Sequence, residues 1–203
     1  MRALATIVLT IAAVTFLVKD SKVYSLPKEL TVVEQYQVQI QRRSVQNFME
    51  KIKVTNAIVA TMLDRTDSVT ANVIARAVLE YSSEKSLDPW FVMGIIQVEN
   101  PELEYKITNS YGATGLMQVV DSIHWGNYPE CKGKSLKEID TNICYGVSVY
   151  VDKWIEANKN VRLALWNYNG CSAERRENKE NCIRYPDRVF KYRDEFIADL
   201  ELD

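Results

Sequence analysis

One glutamate of this chain has the setting of a catalytic acid. Glu99 directly follows the apolar run WFVMGIIQV and precedes Asn100 and Pro101, so we expect it to end a buried helix that the proline stops. Removal from water and the partial negative charge of a helix C-terminus both disfavour the carboxylate and therefore raise its pKa. A carboxyl group that keeps its proton near neutral pH can protonate a glycosidic oxygen. Exposed glutamates at helix ends are commoner, so the position alone does not establish a catalytic role.

The elements that would position Glu99 have clear helical signals. Asp88 followed by Pro89 is typical of an N-cap with proline at the first helical position, and the apolar run after it must be buried. Further amphipathic helices are predicted along the chain: one capped by Ser68 or Thr70, one following Thr141, and one running from about Pro186. Strand-like alternation is nearly absent. The sequence therefore predicts an all-α fold.

Four sequence blocks occur in a fixed order around Glu99. They are LDPWFVMGIIQVEN (87–100), SYGATGLMQV (110–119), TNICYG (141–146) and ALWNYNG (164–170). Together they resemble the lytic transglycosylase domain family of the SLT type, and GATGLMQ is the most specific of the four. The resemblance covers most of residues 70–195. It implies a lysozyme-like helical domain that cleaves the β-1,4 bond between MurNAc and GlcNAc in peptidoglycan.

The resemblance also implies roles for individual residues. Glu99 would be the single catalytic acid and base, with no cofactor and no metal. The implied substrate-binding residues are Ser110, Gly115, Met117, Gln118, Tyr168 and Asn169. The amide of Gln118 is expected to face sugar hydroxyl or N-acetyl groups, and the hydroxyl of Tyr168 is expected near Glu99. Met117 is equally compatible with a plain core position, and Thr114 is predicted to cap a short helix that includes Val119 and Val120.

Two other functions are compatible with these blocks. In a goose-type lysozyme-like hydrolase, a second carboxylate positions a water molecule, and Asp121 is the candidate, although a solvated helix residue is the commoner reading of such an aspartate. In the other alternative, the chain is mainly a structural, peptidoglycan-binding component of a larger machine. The catalytic reading predicts 1,6-anhydro-MurNAc products, which neither alternative gives.

The N-terminal part of the chain predicts export and anchoring. Residues 3–18 carry no charge and lie between Arg2 and Lys19, which is typical of a signal peptide or a membrane anchor. No small-x-small cleavage site follows, which favours an uncleaved anchor. Residues 1–20 are therefore assigned to the anchor, 21–67 to a helical spacer that could contact envelope-complex or virion proteins, and 68–203 to the catalytic domain. The expected location is the periplasm or outer side of the cytoplasmic membrane, or a phage virion.

Charge and cysteine content argue against a nucleic-acid partner and against a zinc site. Lys and Arg number 25 against 27 Asp and Glu, so no overall positive field exists to hold nucleic acid. The four cysteines, which lack the close spacing of a zinc site, are Cys131, Cys144, Cys171 and Cys182. In an oxidising compartment they would form disulfides, and in the cytoplasm they would be free thiols. Four cysteines allow three pairings, of which sequence proximity favours Cys131 with Cys144 and Cys171 with Cys182.

Overall fold

The structure is a computed structural model that describes residues 31–171 and 179–201. The described part is mostly helical, which confirms the all-α prediction at the level of fold class. Its helices are α1 (Val32–Ala60), α2 (Ser68–Glu84), α3 (Pro89–Glu99), α4 (Asp121–His124), α5 (Ile139–Glu156), α6 (Val161–Tyr168) and α7 (Lys179–Glu201). Two short strands, β1 (Ala113–Thr114) and β2 (Val119–Val120), form an antiparallel pair.

The chain divides into two compact units, Met1–Phe48 and Met49–Asp203. The predicted anchor, residues 1–20, lies outside the described residues. In the described part, no helix combines the length and apolar character needed to cross a membrane. The second unit begins well before Ser68, where the sequence suggested that the folded domain starts. Ile58 and Met62, from the predicted spacer, are fully buried in its core.

The cap of α2 differs from the prediction. Asp67 is the N-cap, and its Oδ1 accepts hydrogen bonds from the backbone N–H groups of Val69 (2.9 Å) and Thr70 (3.0 Å). The sequence predicts Ser68 or Thr70 in this role. A carboxylate is a strong acceptor for the free N–H groups of a first helical turn, and the Thr70 hydroxyl itself donates to Asp67 Oδ2. The cap therefore lies one residue before the predicted start.

Helix α3 has the predicted bounds and the predicted central position. Asp88 caps it by accepting from the backbone N–H of Trp90, Pro89 is its first residue and Glu99 its last. Its residues 90–96 are all buried. Asp88 also accepts a 2.6 Å hydrogen bond from Arg193 Nε, which ties the start of α3 to α7. The two helices pack closely around Gly94, where an added Cβ would lie 2.6 Å from the carbonyl oxygen of Val189.

A β-hairpin replaces the short helix predicted after Thr114. Strand β1 pairs with β2, and residues 115–118 form the turn between them. Gly115 (φ 77°) and Gln118 (φ 47°) both adopt left-handed backbone conformations, which a right-handed helix cannot contain. The Thr114 hydroxyl lies 3.0 Å from the Thr108 hydroxyl and does not cap a helix. The prediction of a helix here was wrong because the two left-handed residues favour a tight turn.

The two disulfides and the last helices complete the second unit. Cys131 pairs with Cys144 and Cys171 with Cys182, with Cα–Cα distances of 5.6 and 5.8 Å, so the predicted pairing is confirmed. Helix α5 begins before Thr141, and α7 begins at Lys179 with Pro186 inside it. Proline removes one helical hydrogen bond. The helical turn before Pro186 is nonetheless retained. The disulfide from Cys182 to Cys171 holds this turn, so tertiary packing outweighs the low helix propensity of proline.

Candidate active site

Glu99 is partly buried at the C-terminal end of α3. Burial raises the pKa of its carboxyl from the ordinary value of 4.5 to about 7. A hydrogen bond from Tyr185 and the charge of Arg188 act in the opposite direction and are the smaller effects. The predicted rise of this pKa is thus confirmed. At neutral pH the carboxyl group exchanges readily between its protonated and ionised forms, as a general acid and base requires.

Tyr185 is the closest polar partner of Glu99 and was missed from the sequence. Its hydroxyl, which α7 carries, donates a 2.6 Å hydrogen bond to Glu99 Oε1. Tyr185 shares one buried face of α7 with Val189 and Phe196. A tyrosine on an inward-facing helical stripe normally needs a hydrogen-bond partner for its hydroxyl. That stripe was the available signal, but the partner lies 86 positions away in the sequence.

A cleft of about 570 Å³ opens beside Glu99. The hairpin forms one wall and residues near the end of α6 form the other. The lining residues, in chain order, are Glu99, Asn109, Tyr111, Ala113, Gln118, Val119, Val120, His124, Val149, Tyr168, Asn169, Gly170, Cys171 and Cys182. Among these lining residues of the described chain, Glu99 is the only carboxylate. The cleft therefore offers one proton-transferring carboxyl group and several amide and hydroxyl groups.

Three of the predicted substrate-binding residues line this cleft together with Glu99. They are Gln118, Tyr168 and Asn169. The side chain of Gln118 is held in place, since its Nε2 donates to the Gly115 carbonyl (2.8 Å) and its Oε1 accepts from Asn109 Nδ2 (3.1 Å). Such an amide presents a fixed orientation to a ligand.

The Tyr168 hydroxyl, which is expected near Glu99, is hydrogen-bonded to the hairpin turn. The hydroxyl donates to the carbonyl oxygen of Met117 at 2.8 Å, so that Tyr168 braces the hairpin turn. The charge of Glu99 is nevertheless among the causes, after burial, that raise the pKa of Tyr168 well above its usual range. Tyr168 thus lies in the electrostatic environment of Glu99, whereas Tyr185 makes the direct contact.

Met117 and Gly115 lie behind the wall of the cleft. The Met117 side chain is fully buried, and its Sδ occupies the space that a Cβ on Gly146 would need. The space beside Gly115 is filled by the amide of Asn142. Both residues therefore shape the hairpin turn from inside, and their side-chain positions do not line the cleft.

Ser110 and Asp121 are also separate from the cleft lining. Ser110 is exposed in the loop before β1. Asp121 is the exposed first residue of α4, and it lines a second depression together with Trp125 and Lys134. The position of Asp121 does not favour a role for it in holding water against a sugar bound at Glu99.

Asn142 joins the elements around the hairpin. Its fully buried amide accepts from the Met117 backbone N–H (2.8 Å) and donates to the carbonyl oxygens of Thr114 (2.8 Å) and Leu136 (2.9 Å). All three bonds are shielded from water, where an unpaired partner would be costly. The block TNICYG thus contributes a structural residue that fixes the wall of the cleft.

No known family model and no curated protein matches the chain. The resemblance to lytic transglycosylases therefore rests on the four sequence blocks and stays a prediction. What the geometry adds is chemical: a buried carboxyl group with a raised pKa, a tyrosine hydroxyl bound to it, and an open cleft beside both.

His124, the sole histidine, was not predicted as a site residue. It lines the cleft from the end of α4. Burial lowers the pKa of its imidazole, and the charge of Lys153 acts in the same direction. The ring is therefore neutral at pH 7 and can both donate and accept a hydrogen bond. Within residues 31–171 and 179–201, no cluster of His, Cys, Asp and Glu is arranged to hold a metal ion.

Proposed function

We propose that this chain is a peptidoglycan lytic transglycosylase with a lysozyme-like catalytic domain. It cleaves the β-1,4 bond between MurNAc and GlcNAc and leaves 1,6-anhydro-MurNAc ends. The observation that carries the proposal is Glu99, the only carboxyl group among the described residues that line the cleft, whose pKa burial raises to about 7. The four sequence blocks that resemble the family support the same assignment.

The proposed reaction needs only one protein carboxyl group. Glu99 donates its proton to the glycosidic oxygen as the bond to C1 of MurNAc breaks, while the N-acetyl group of the substrate stabilises the developing positive charge. The ionised Glu99 then takes a proton from the C6 hydroxyl of the same sugar, whose oxygen attacks C1. Tyr185 stabilises this carboxylate through its 2.6 Å hydrogen bond. Glycosidases that use water need a second carboxylate roughly 5–9.5 Å from the first.

The setting in the cell is part of the proposal. Two disulfides favour an oxidising compartment, in accord with the outer side of the cytoplasmic membrane. In this view, residues 3–18 anchor the chain, and residues 21–67 contact proteins of an envelope-spanning machine or a virion. The proposed contact with other proteins is supported by exposed apolar side chains along α1, notably Val33, Tyr36, Ile40 and Phe48.

Digestion of purified peptidoglycan tests the function. We expect the released muropeptides to end in 1,6-anhydro-MurNAc, which mass spectrometry identifies as lacking one water relative to a reducing end. Glu99→Gln should abolish release, because it removes the transferable proton with little change of shape. The matched control is Glu102→Gln, which changes an exposed glutamate three positions further along the chain.

Each other outcome points to a different function. Reducing ends as the main product, together with loss of activity in Asp121→Asn, would establish a goose-type hydrolase. Binding to peptidoglycan without any product from folded protein would establish a structural component. Near-normal turnover by folded Glu99→Gln protein would contradict the assignment of Glu99.

A further inference from the structure

A second depression lies on the other side of the hairpin from the Glu99 cleft. Its volume is about 670 Å³. Gly112 and Thr114 line this depression, whereas Ala113 between them lines the cleft. Ala113 and Thr114 face different depressions because successive residues of a strand face opposite sides. The thin β1–β2 hairpin therefore separates two concave surfaces of the same unit.

The second depression contains a fixed aromatic surface. Trp125 is 42% exposed. Its ring is stacked on Tyr145 at a centroid distance of 5.3 Å and an interplanar angle of 9°, and Tyr145 is itself buried. Tyr128 packs edge-on against Tyr145 from another direction. The indole is thus supported from behind, and what remains exposed of it lines the depression, as in sites that bind a sugar ring.

Two lysines and several hydroxyl groups line the same depression as this indole. Lys134 and Lys137 line the depression and are exposed, and neither ammonium group has an ion-pair partner among residues 31–171 and 179–201. Asp121 lines the same surface, so the site offers acceptors for sugar hydroxyls as well as cations. A depression lined by both cations and an aromatic ring favours a saccharide that also carries carboxylate groups.

The wall that carries the lysines is held rigidly. The segment begins at Cys131, which is bridged to Cys144 in the second turn of α5. The Leu136 carbonyl accepts from the Asn142 amide at 2.9 Å, and Leu136 is itself buried. Because the same Asn142 amide also holds the hairpin, both walls of the depression are fixed against α5 before any ligand arrives. Such preorganisation reduces the entropy lost on binding.

We propose that this depression is a second saccharide-binding site, separate from the Glu99 cleft, for an amino sugar that carries carboxylate substituents. The identity of that sugar rests on the proposed function, under which it is a MurNAc unit with its peptide stem. Trp125 stacks on the sugar ring, and Lys134 and Lys137 bind the carboxylates. The site would hold the enzyme on the glycan network at a place other than the bond being cleaved.

Binding is measured on the full chain carrying Glu99→Gln in detergent micelles, so that the ligand stays intact. The probes are a GlcNAc–MurNAc-tetrapeptide and, as the sugar without carboxylates, chitotetraose. The indole N–H resonance of Trp125, assigned with Trp125→Phe, reports the second site. The side-chain amide of Gln118 reports the cleft.

We expect the muropeptide to shift the Trp125 resonance saturably. Replacing Lys134 and Lys137 together by alanine should weaken this binding about fivefold at low salt, as two exposed ion pairs would. Lys132→Ala, a control in the same segment but outside the lining, should leave it unchanged. Chitotetraose should bind the second site about fivefold more weakly than the muropeptide, for the same reason.

Three results would overturn the proposal: a Trp125 resonance that stays still while Gln118 shifts, a double lysine variant that behaves like Lys132→Ala, or equal binding of both probes. These outcomes leave the proposed function untouched, because product analysis tests it separately. A shifted Trp125 resonance in a protein that yields no anhydro product would instead support the second site and contradict the transglycosylase activity.

Discussion

Burial of Glu99 should make the protein less stable as the pH rises. The folded state binds the carboxyl proton more tightly than the unfolded chain, because the pKa is about 7 in the former and near the ordinary 4.5 in the latter. Between these two values the unfolded state releases its proton first, so the free energy of unfolding falls with pH. The difference between the two pKa values corresponds to roughly 3 kcal/mol of unfolding free energy. This contribution is fully lost by about pH 8.

Glu99→Gln should remove this dependence. Glutamine has nearly the same shape, its amide oxygen can still accept the hydrogen bond from Tyr185, and it does not titrate. At pH 4.5 the variant and the wild type should have similar unfolding free energies, and at pH 8 the unfolding free energy of the variant should exceed that of the wild type by up to about 3 kcal/mol. The variant would then be more stable than the wild type at pH 8, which under the proposed function means that the catalytic group lowers stability at that pH.

Urea unfolding followed by circular dichroism, with the disulfides intact, measures this difference. Unfolding free energies are compared at pH 4.5 and pH 8 for the wild type, for Glu99→Gln and for the exposed control Glu102→Gln. The control should follow the wild type. Parallel pH dependences for the wild type and Glu99→Gln would refute the reasoning, because they would mean that folding does not perturb the carboxyl group.

Three further variants test the surroundings of Glu99. Tyr185→Phe removes a hydrogen bond that favours the ionised form of Glu99, so the pH–rate profile for peptidoglycan cleavage should shift upward by about one pH unit. A profile identical to that of the wild type would contradict this contact. Gly94→Ala places a Cβ against the Val189 carbonyl oxygen and should cost about 1–3 kcal/mol in urea unfolding; an unchanged midpoint would show that the two helices can separate there. Asn142→Ala loses three buried hydrogen bonds and should cost about 3 kcal/mol, whereas the exposed control Asn56→Ala should cost far less.

The helix that carries Glu99 could be predicted from the sequence because its signals are local. Asp88, Pro89 and the apolar run determine where it starts and that it is buried, and Pro101 follows its end. The disulfide pairing was equally accessible, since cysteines close in sequence form short loops. These features depend on residues within one or two helical turns or one short loop.

The features that were missed depend on distant residues or on backbone conformation. Tyr185 reaches Glu99 only because α7 packs on α3, and no spacing within the chain encodes that contact. The hairpin was mistaken for a helix because Gln118 adopts a left-handed conformation that is unusual for a residue other than glycine. Similarly, the burial of Met117 follows from the absence of a side chain on Gly146, which a different block contributes.

The hydrogen bonds of Asn142 set the substitution tolerance of its neighbourhood. All of its partners are main-chain atoms, which every amino acid except proline supplies in the same form. These bonds therefore place no restriction on the side chains of Thr114, Met117 and Leu136. Asn142 itself is not, because aspartate lacks the two donors and glutamine has a longer side chain. In diverged sequences of this fold, one asparagine would persist while the residues it holds vary around it.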